Sequence, residues 1–79
     1  MTKALIQKNI RLSSEFDNYI SENPRAFRRI PNGANIVITS SRDKALSDSN
    51  MSIARNSRTG RFVEAHKSDG RWHIRDFKR

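Results

Sequence analysis

Apolar residues recur along the first third of the chain at helical spacing. Leu12, Phe16, Tyr19 and Ile20 fall on one face, and Leu5 continues the stripe upstream. The spacing predicts a helix, capped by Ser13 or Ser14 or beginning earlier, near Lys3. Glu15 and Asp17 suit a first turn, where the helix dipole favours carboxylates. Pro24 predicts the end of the helix, because Asn23 before it is pushed out of helical geometry. Residues 25–29 predict one further turn that carries Phe27 inward.

Pro31-Asn32-Gly33 reads as a turn, and Ala34 to Thr39 as a strand. Ile36-Val37-Ile38 is continuously apolar and β-branched, the pattern of a strand buried on both faces at the centre of a sheet. Ser40 to Asp43 is a loop ending in a helix-capping candidate. A second, weaker helical stripe follows: Ala45 or Leu46, then Ser49, Asn50, Ile53 and Ala54. It stops between Asn56 and Gly60, with Arg55 and Arg58 near its negative end.

Phe62 to His66 and Arg71 to Phe77 both alternate, around Lys67-Ser68-Asp69-Gly70. Asp-Gly between alternating runs predicts a hairpin. A two-residue Asp69-Gly70 turn sets His66 opposite His73, Glu64 opposite Arg75 and Phe62 opposite Phe77. Val63, Ala65, Trp72 and Ile74 then share the other face, to be buried, and Lys67 belongs to the exposed tip. A four-residue loop shifts the partners but keeps both faces, whereas a three-residue loop mixes them and puts Trp72 on the polar side.

The predicted order is helix, strand, helix, strand, strand. A strand–helix–strand unit favours parallel pairing, and the hairpin adds an antiparallel strand. The expected architecture is α/β: a small three-stranded mixed sheet with a C-terminal β-hairpin and helices on one or both faces. Residues 1–79 form a single domain, whose basic segment 55–79 contains the hairpin.

Composition narrows this picture. Leu, Ile, Val and Phe make up 17 of 79 residues, just above the roughly 20 per cent below which highly charged chains stay disordered. A thin core is expected, one that a homodimer or partner would help. The net charge of +8 attracts polyanions with a salt-dependent strength; it equally suits docking to an acidic protein. Cysteine is absent, which excludes disulfides and thiolate metal sites. Residues 3–10 are too short and polar for a signal peptide or membrane span. The cytoplasm is the expected compartment, with no membrane association.

Several stretches carry a resemblance. They are Asn9, Leu-Ser-Ser-Glu-Phe-Asp-Asn-Tyr-Ile at 12–20, Glu22-Asn23-Pro24, Ile30-Pro31, Ala34 to Ile38, and then Asp43, Leu46, Asn50 and Ile53-Ala54. Over residues 9–54 the chain resembles a small prokaryotic family of uncharacterised proteins. The resemblance implies a compact α/β unit and no nameable enzymatic activity. Small genes of this kind are associated with toxin–antitoxin and other paired operons. Segment 55–79 departs from that family's shorter, less charged final strand.

Candidate chemistry gathers in the same segment. One hairpin face would hold Phe62, Glu64, His66, His73, Arg75 and Phe77, flanked by Arg61, Arg71, Lys67, Lys78 and Arg79. Aromatic rings beside cations suit single-stranded nucleic acid; the same face covered by the first helix would make Phe62 and Phe77 core instead. His66 and His73 are candidates for a general acid/base pair. As metal ligands they lack the third and fourth partner that a usual site needs, so no metal is expected, and no cofactor motif is present. Thr39 to Arg42 enters a helix N-terminus, where phosphate can bind, but Asp43 already supplies an anion there and capping is the expected role. Arg55, Arg58 and Arg61 surround a flexible turn that would either clamp phosphate or cap the preceding helix.

Three functions compete on these grounds. One is a nucleic-acid-binding module. Another is a subunit docking an acidic protein partner, such as one half of a toxin–antitoxin-like pair. The third is a small ribonuclease-like toxin using His66 and His73.

Overall fold

The computed structural model describes residues 2–58 and 60–77. Helix α1 spans Lys3–Glu22. Its cap is Thr2, whose hydroxyl accepts the Leu5 N–H at 3.2 Å. The longer of the two expected helices therefore forms, and Ser13 and Ser14 lie inside it. The helix stops where Pro24 requires. The Asn23 backbone N–H closes on the Ile20 carbonyl, and the Asn23 amide donates to the Tyr19 carbonyl at 2.7 Å.

A single turn, α2, follows at Pro24–Phe27. It turns Ala26 inward and leaves Phe27 61% exposed, the reverse of the expectation for Phe27. Proline at the first helical position sets the phase of this turn, and the small alanine meets the core.

Strand β1 is Asn35–Ser40, helix α3 Lys44–Asn56, strand β2 Phe62–Ser68 and strand β3 Arg71–Asp76. The sheet order is β1-β2-β3, with β1 parallel to β2 and β2 antiparallel to β3. The α/β architecture and mixed sheet are as expected, but the Ile36-Val37-Ile38 strand is at the edge and β2 is central. An apolar run reports that two faces are covered; it carries no information about the two hydrogen-bonding edges.

Helix α3 supplies what the free edge of β1 lacks. The Asn35 N–H donates to the Arg61 carbonyl and the Ser41 N–H to the Lys67 carbonyl. In a parallel ladder the odd-numbered residues of β1 thus face β2, and Ile36, Ile38 and Ser40 turn their polar groups outward. Ser47 accepts the Ser40 N–H at 2.8 Å and donates to the Ser40 carbonyl at 3.0 Å. The Asn50 amide donates to the Ile38 carbonyl at 2.8 Å and pairs with the Asn9 amide of α1. Polar side chains at i and i+3 of α3 therefore seal an edge that would otherwise recruit another strand. Asp43 caps this helix by accepting the Leu46 N–H at 3.1 Å, the role expected of it.

The main core cluster lies on one side of the sheet, and Val37 is buried on the other. Phe16, Ala26, Ile38, Leu46, Val63, Ala65 and Ile74 form the cluster, with Leu5, Leu12, Tyr19, Ile20, Ile30, Ala34 and Trp72 packed around. The Phe16 and Trp72 rings meet at 5.0 Å between centroids, a tilted contact that joins α1 to the hairpin. The hairpin turn has Asp69 at φ 51° and Gly70 at φ 75°, the two left-handed residues of a two-residue hairpin turn. His66 stands opposite His73 and Glu64 opposite Arg75, as the alternation predicts, and Val63 and Ile74 are buried. Trp72 is only half-buried, and Lys67 is not at the tip. Lys67 lies over the Trp72 ring, 5.8 Å from its centroid, and pairs with Glu15 of α1. Its inward parity and long stem explain the difference.

Asn50→Ala should destabilise the domain by about 1–3 kcal/mol, because it strands the buried Ile38 carbonyl and the Asn9 amide together. Ile53→Ala, one turn on and exposed, should change stability by less than about 0.5 kcal/mol. Urea midpoints of the two variants check the contrast.

Candidate nucleic-acid interface

Strand parity sorts side chains between two faces. Trp72 and Ile74 enter the core, so Arg71, His73 and Arg75 of β3 emerge on the outer face with Phe62, Glu64 and His66 of β2 and Val37 and Thr39 of β1. Helix α1 packs on the opposite face, through Phe16. It does not cover Phe62 and Phe77. Those two rings stay half-buried because they pack edge-on against each other, 6.2 Å between centroids.

A carboxylate sits in the middle of this face. Glu64 is only 7% exposed, beside Val37 of β1, and polar side chains from both flanking strands hold its carboxylate. Arg75 grips it with two bonds, Nε to Oε1 at 2.9 Å and Nη2 to Oε2 at 3.1 Å. The Thr39 hydroxyl lies 2.6 Å from Oε2 and 2.7 Å from His66 Nδ1. A carboxylate can only accept, so Thr39 donates its one proton to Glu64. Its oxygen then accepts from His66, which places the imidazole proton on Nδ1 and leaves Nε2 as the basic nitrogen.

The energetics follow from this arrangement. Burial pushes the Glu64 carboxyl up, but the Arg75 and Thr39 hydrogen bonds and the nearby positive charge outweigh it, and the carboxyl is held below its ordinary value. The same bonds to Glu64 push Arg75 up. Among the described residues no buried side-chain polar atom lacks a hydrogen-bond partner.

The candidate cations therefore divide. Arg75 is committed to Glu64, Lys67 pairs with Glu15 on the inner side, and Arg61 reaches Asp76 at 3.6 Å. Arg71 and His73 are exposed on β3, while Arg55 and Arg58 are exposed at the end of α3 and just beyond it. Lys78 and Arg79 lie outside the described residues. His66 and His73 stand side by side, but His66 is tied down by Thr39 and His73 faces solvent. In sequence Thr39 stands out only as the start of the loop into α3; its contact with both Glu64 and His66 depends on the β1–β2 register. Among the described residues, no three His, Cys, Asp or Glu side chains gather in a way that could hold a metal ion. None of the described helices is long and apolar enough to cross a membrane.

These features define a small α/β domain whose helices back one face of a mixed sheet and whose other face carries a polar, cation-rimmed patch. The chain belongs to a family of unknown function (DUF5647), which matches residues 4–68. The match runs through β2, so residues 55–68 fall within it, and residues 1–3 and 69–79 lie outside it. No curated protein and no solved structure matches the chain.

Arg75→Ala should cost about 1–3 kcal/mol by stranding a buried carboxylate. That is less than for a fully buried pair, since the guanidinium is more than half exposed. Glu64→Gln in the same chain should recover part of the loss. Because the carboxyl is held below its unfolded value, its contribution is complete at neutral pH and disappears as pH falls through the folded value. The stability lost by the wild type between about pH 5 and 3 should therefore shrink in Glu64→Gln. Urea titrations at stepped pH measure both effects.

Proposed function

We propose that this protein binds a polyanion on the outer face of its sheet, and that the polyanion is single-stranded nucleic acid. The observation that carries the reading is the row Arg71, His73, Arg75 at alternate positions of β3, beside His66, on the face away from α1. Exposed guanidinium and imidazole groups serve phosphates as donors and bases as flat stacking partners. The net charge of +8 supplies the long-range attraction. Arg75 keeps outward-facing donors while its inner edge holds Glu64, so it presents a fixed, pre-oriented cation.

An acidic protein mate, as in toxin–antitoxin pairs, would meet the same cations, and the binding assay separates the two cases. Arg71→Ala with His73→Ala should weaken binding of a single-stranded oligonucleotide about tenfold at low salt without unfolding the domain, because both residues are exposed. Each lost phosphate contact should also flatten the salt dependence of log K by about 0.7. A gel-shift series at two or more salt concentrations reads both. Absence of any retardation at low salt refutes the nucleic-acid reading and leaves the acidic partner.

A ribonuclease-like activity is a second reading, favoured by one observation: Thr39 holds His66 Nδ1, leaving Nε2 free to take a proton beside His73. Under this reading, His66→Ala and His73→Ala each abolish RNA cleavage and leave binding nearly intact.

A further inference from the structure

The exposed large hydrophobic side chains among the described residues are Ile6, Ile10, Phe27, Ile36 and Ile53, and the last three line one groove. Two cavities of about 200 and 230 Å³ share Ser13, Ile36 and Ile38. They join into a trough whose floor is β1 and whose walls are α1 and α3, with Ile53 on the α3 wall and Phe27 of α2 at one end. On α1, Ile6, Ile10, Ser13 and Asp17 follow each other at spacings of four, three and four residues. The two isoleucines therefore continue the shoulder that Ser13 and Asp17 present to the trough. A chain with so few large apolar residues leaves five of them outside its core, three of them at this trough. Such a patch marks an interaction surface.

The surroundings indicate what fits. Arg28 adjoins Phe27, and Arg25 and Arg29 border the neighbouring cavity with Tyr19 and Glu22; all three are exposed, and none forms an ion pair among the described residues. The acidic residue in the trough is Asp17. A second copy of a chain carrying +8 would bring like charge to this end, which disfavours self-association. An added strand is also disfavoured, because Ser47 and Asn50 occupy the edge groups of β1 at Ser40 and Ile38. The geometry points to an acidic amphipathic helix of a partner protein. Its apolar ridge would fill the trough between Phe27, Ile36 and Ile53, and its carboxylates would meet Arg25, Arg28 and Arg29. This is the helix-in-groove mode of recognition. One cavity reaches Val37 and Phe62 at the edge of the outer face, but Arg71 and His73 line neither cavity, so the inference does not rest on nucleic-acid binding.

The test uses two designed helical peptides with the same leucine ridge, one flanked by glutamates and one by lysines. They are titrated into the isotope-labelled full chain and followed by NMR and fluorescence anisotropy. The glutamate peptide should bind saturably and shift the resonances of Phe27, Ile36 and Ile53, and the lysine peptide should bind at least tenfold more weakly. Phe27→Ala and Arg28→Glu/Arg29→Glu should each reduce affinity at least tenfold, while Arg71→Ala/His73→Ala leaves it unchanged. All these residues are exposed, so the variants should keep the wild-type amide spectrum. If one does not fold, the remaining variant decides. Equal binding of both peptides, no saturable binding of either, or insensitivity to the folded groove variants overturns the proposal. So does an oligonucleotide that shifts the groove resonances, or a wild-type dimer in sedimentation equilibrium that Phe27→Ala dissolves.

Discussion

Glu64 occupies the central strand of a three-stranded sheet, where its carboxylate is almost wholly removed from water. An ion so placed must be answered from both sides. Thr39 answers from β1 and Arg75 from β3, so one carboxylate ties the three strands together. Apolar residues of similar volume can match or exceed the stability of such a group. Its structural consequence is register. A one-residue slip of β2 would turn Glu64 into the cluster of Phe16, Leu46 and Ile74 and bring Val63 and Ala65 to the outer face. The pairings Thr39 beside His66 and Glu64 beside Arg75 satisfy every member of the network.

The rest of the fold works with the same economy. Apolar side chains suffice to cover the inner face of the sheet, and polar side chains do the remaining joining. Ser47 and Asn50 close the β1 edge, Asn9 couples α1 to α3 through Asn50, and Lys67 links the hairpin to Glu15 and Trp72. Each contact stabilises by an amount near that of an ordinary hydrogen bond or a partly exposed ion pair. Each also leaves a buried or half-buried polar group stranded if its partner is lost, so small polar substitutions matter here as much as core truncations.

Tertiary pairing also reshapes the electrostatics. Segment 55–79 holds eight basic and three acidic residues, which on paper is one continuous basic surface. In the folded chain Arg61, Lys67 and Arg75 each meet an acid, and Lys67 points to the other side of the sheet. What remains directed outward on β3 is Arg71, the imidazole of His73 and Arg75 held by Glu64, a smaller patch. Meanwhile Arg25, Arg28 and Arg29, in α2 and just after it, are all exposed near Phe27, a second basic region.

Periodicity and turn chemistry made the elements legible. The alternation of Phe62–His66 and Arg71–Phe77 set the two faces of the hairpin, and a two-residue Asp69-Gly70 turn placed Glu64 opposite Arg75, where a four-residue loop would have kept the faces and shifted the partners. Pro24 and Asp43 likewise marked one helix end and one helix start through local backbone sterics and capping. The position of β1 at the edge, the outward turn of Phe27, the capture of Lys67 by Glu15 and the Thr39–His66 contact appear only in three dimensions. Side-chain patterning records which faces of an element are covered. It does not record which strand's N–H and C=O groups meet another strand, nor which residues distant in the chain become neighbours once the sheet closes, and those pairings decide where the charge and the exposed apolar surface lie.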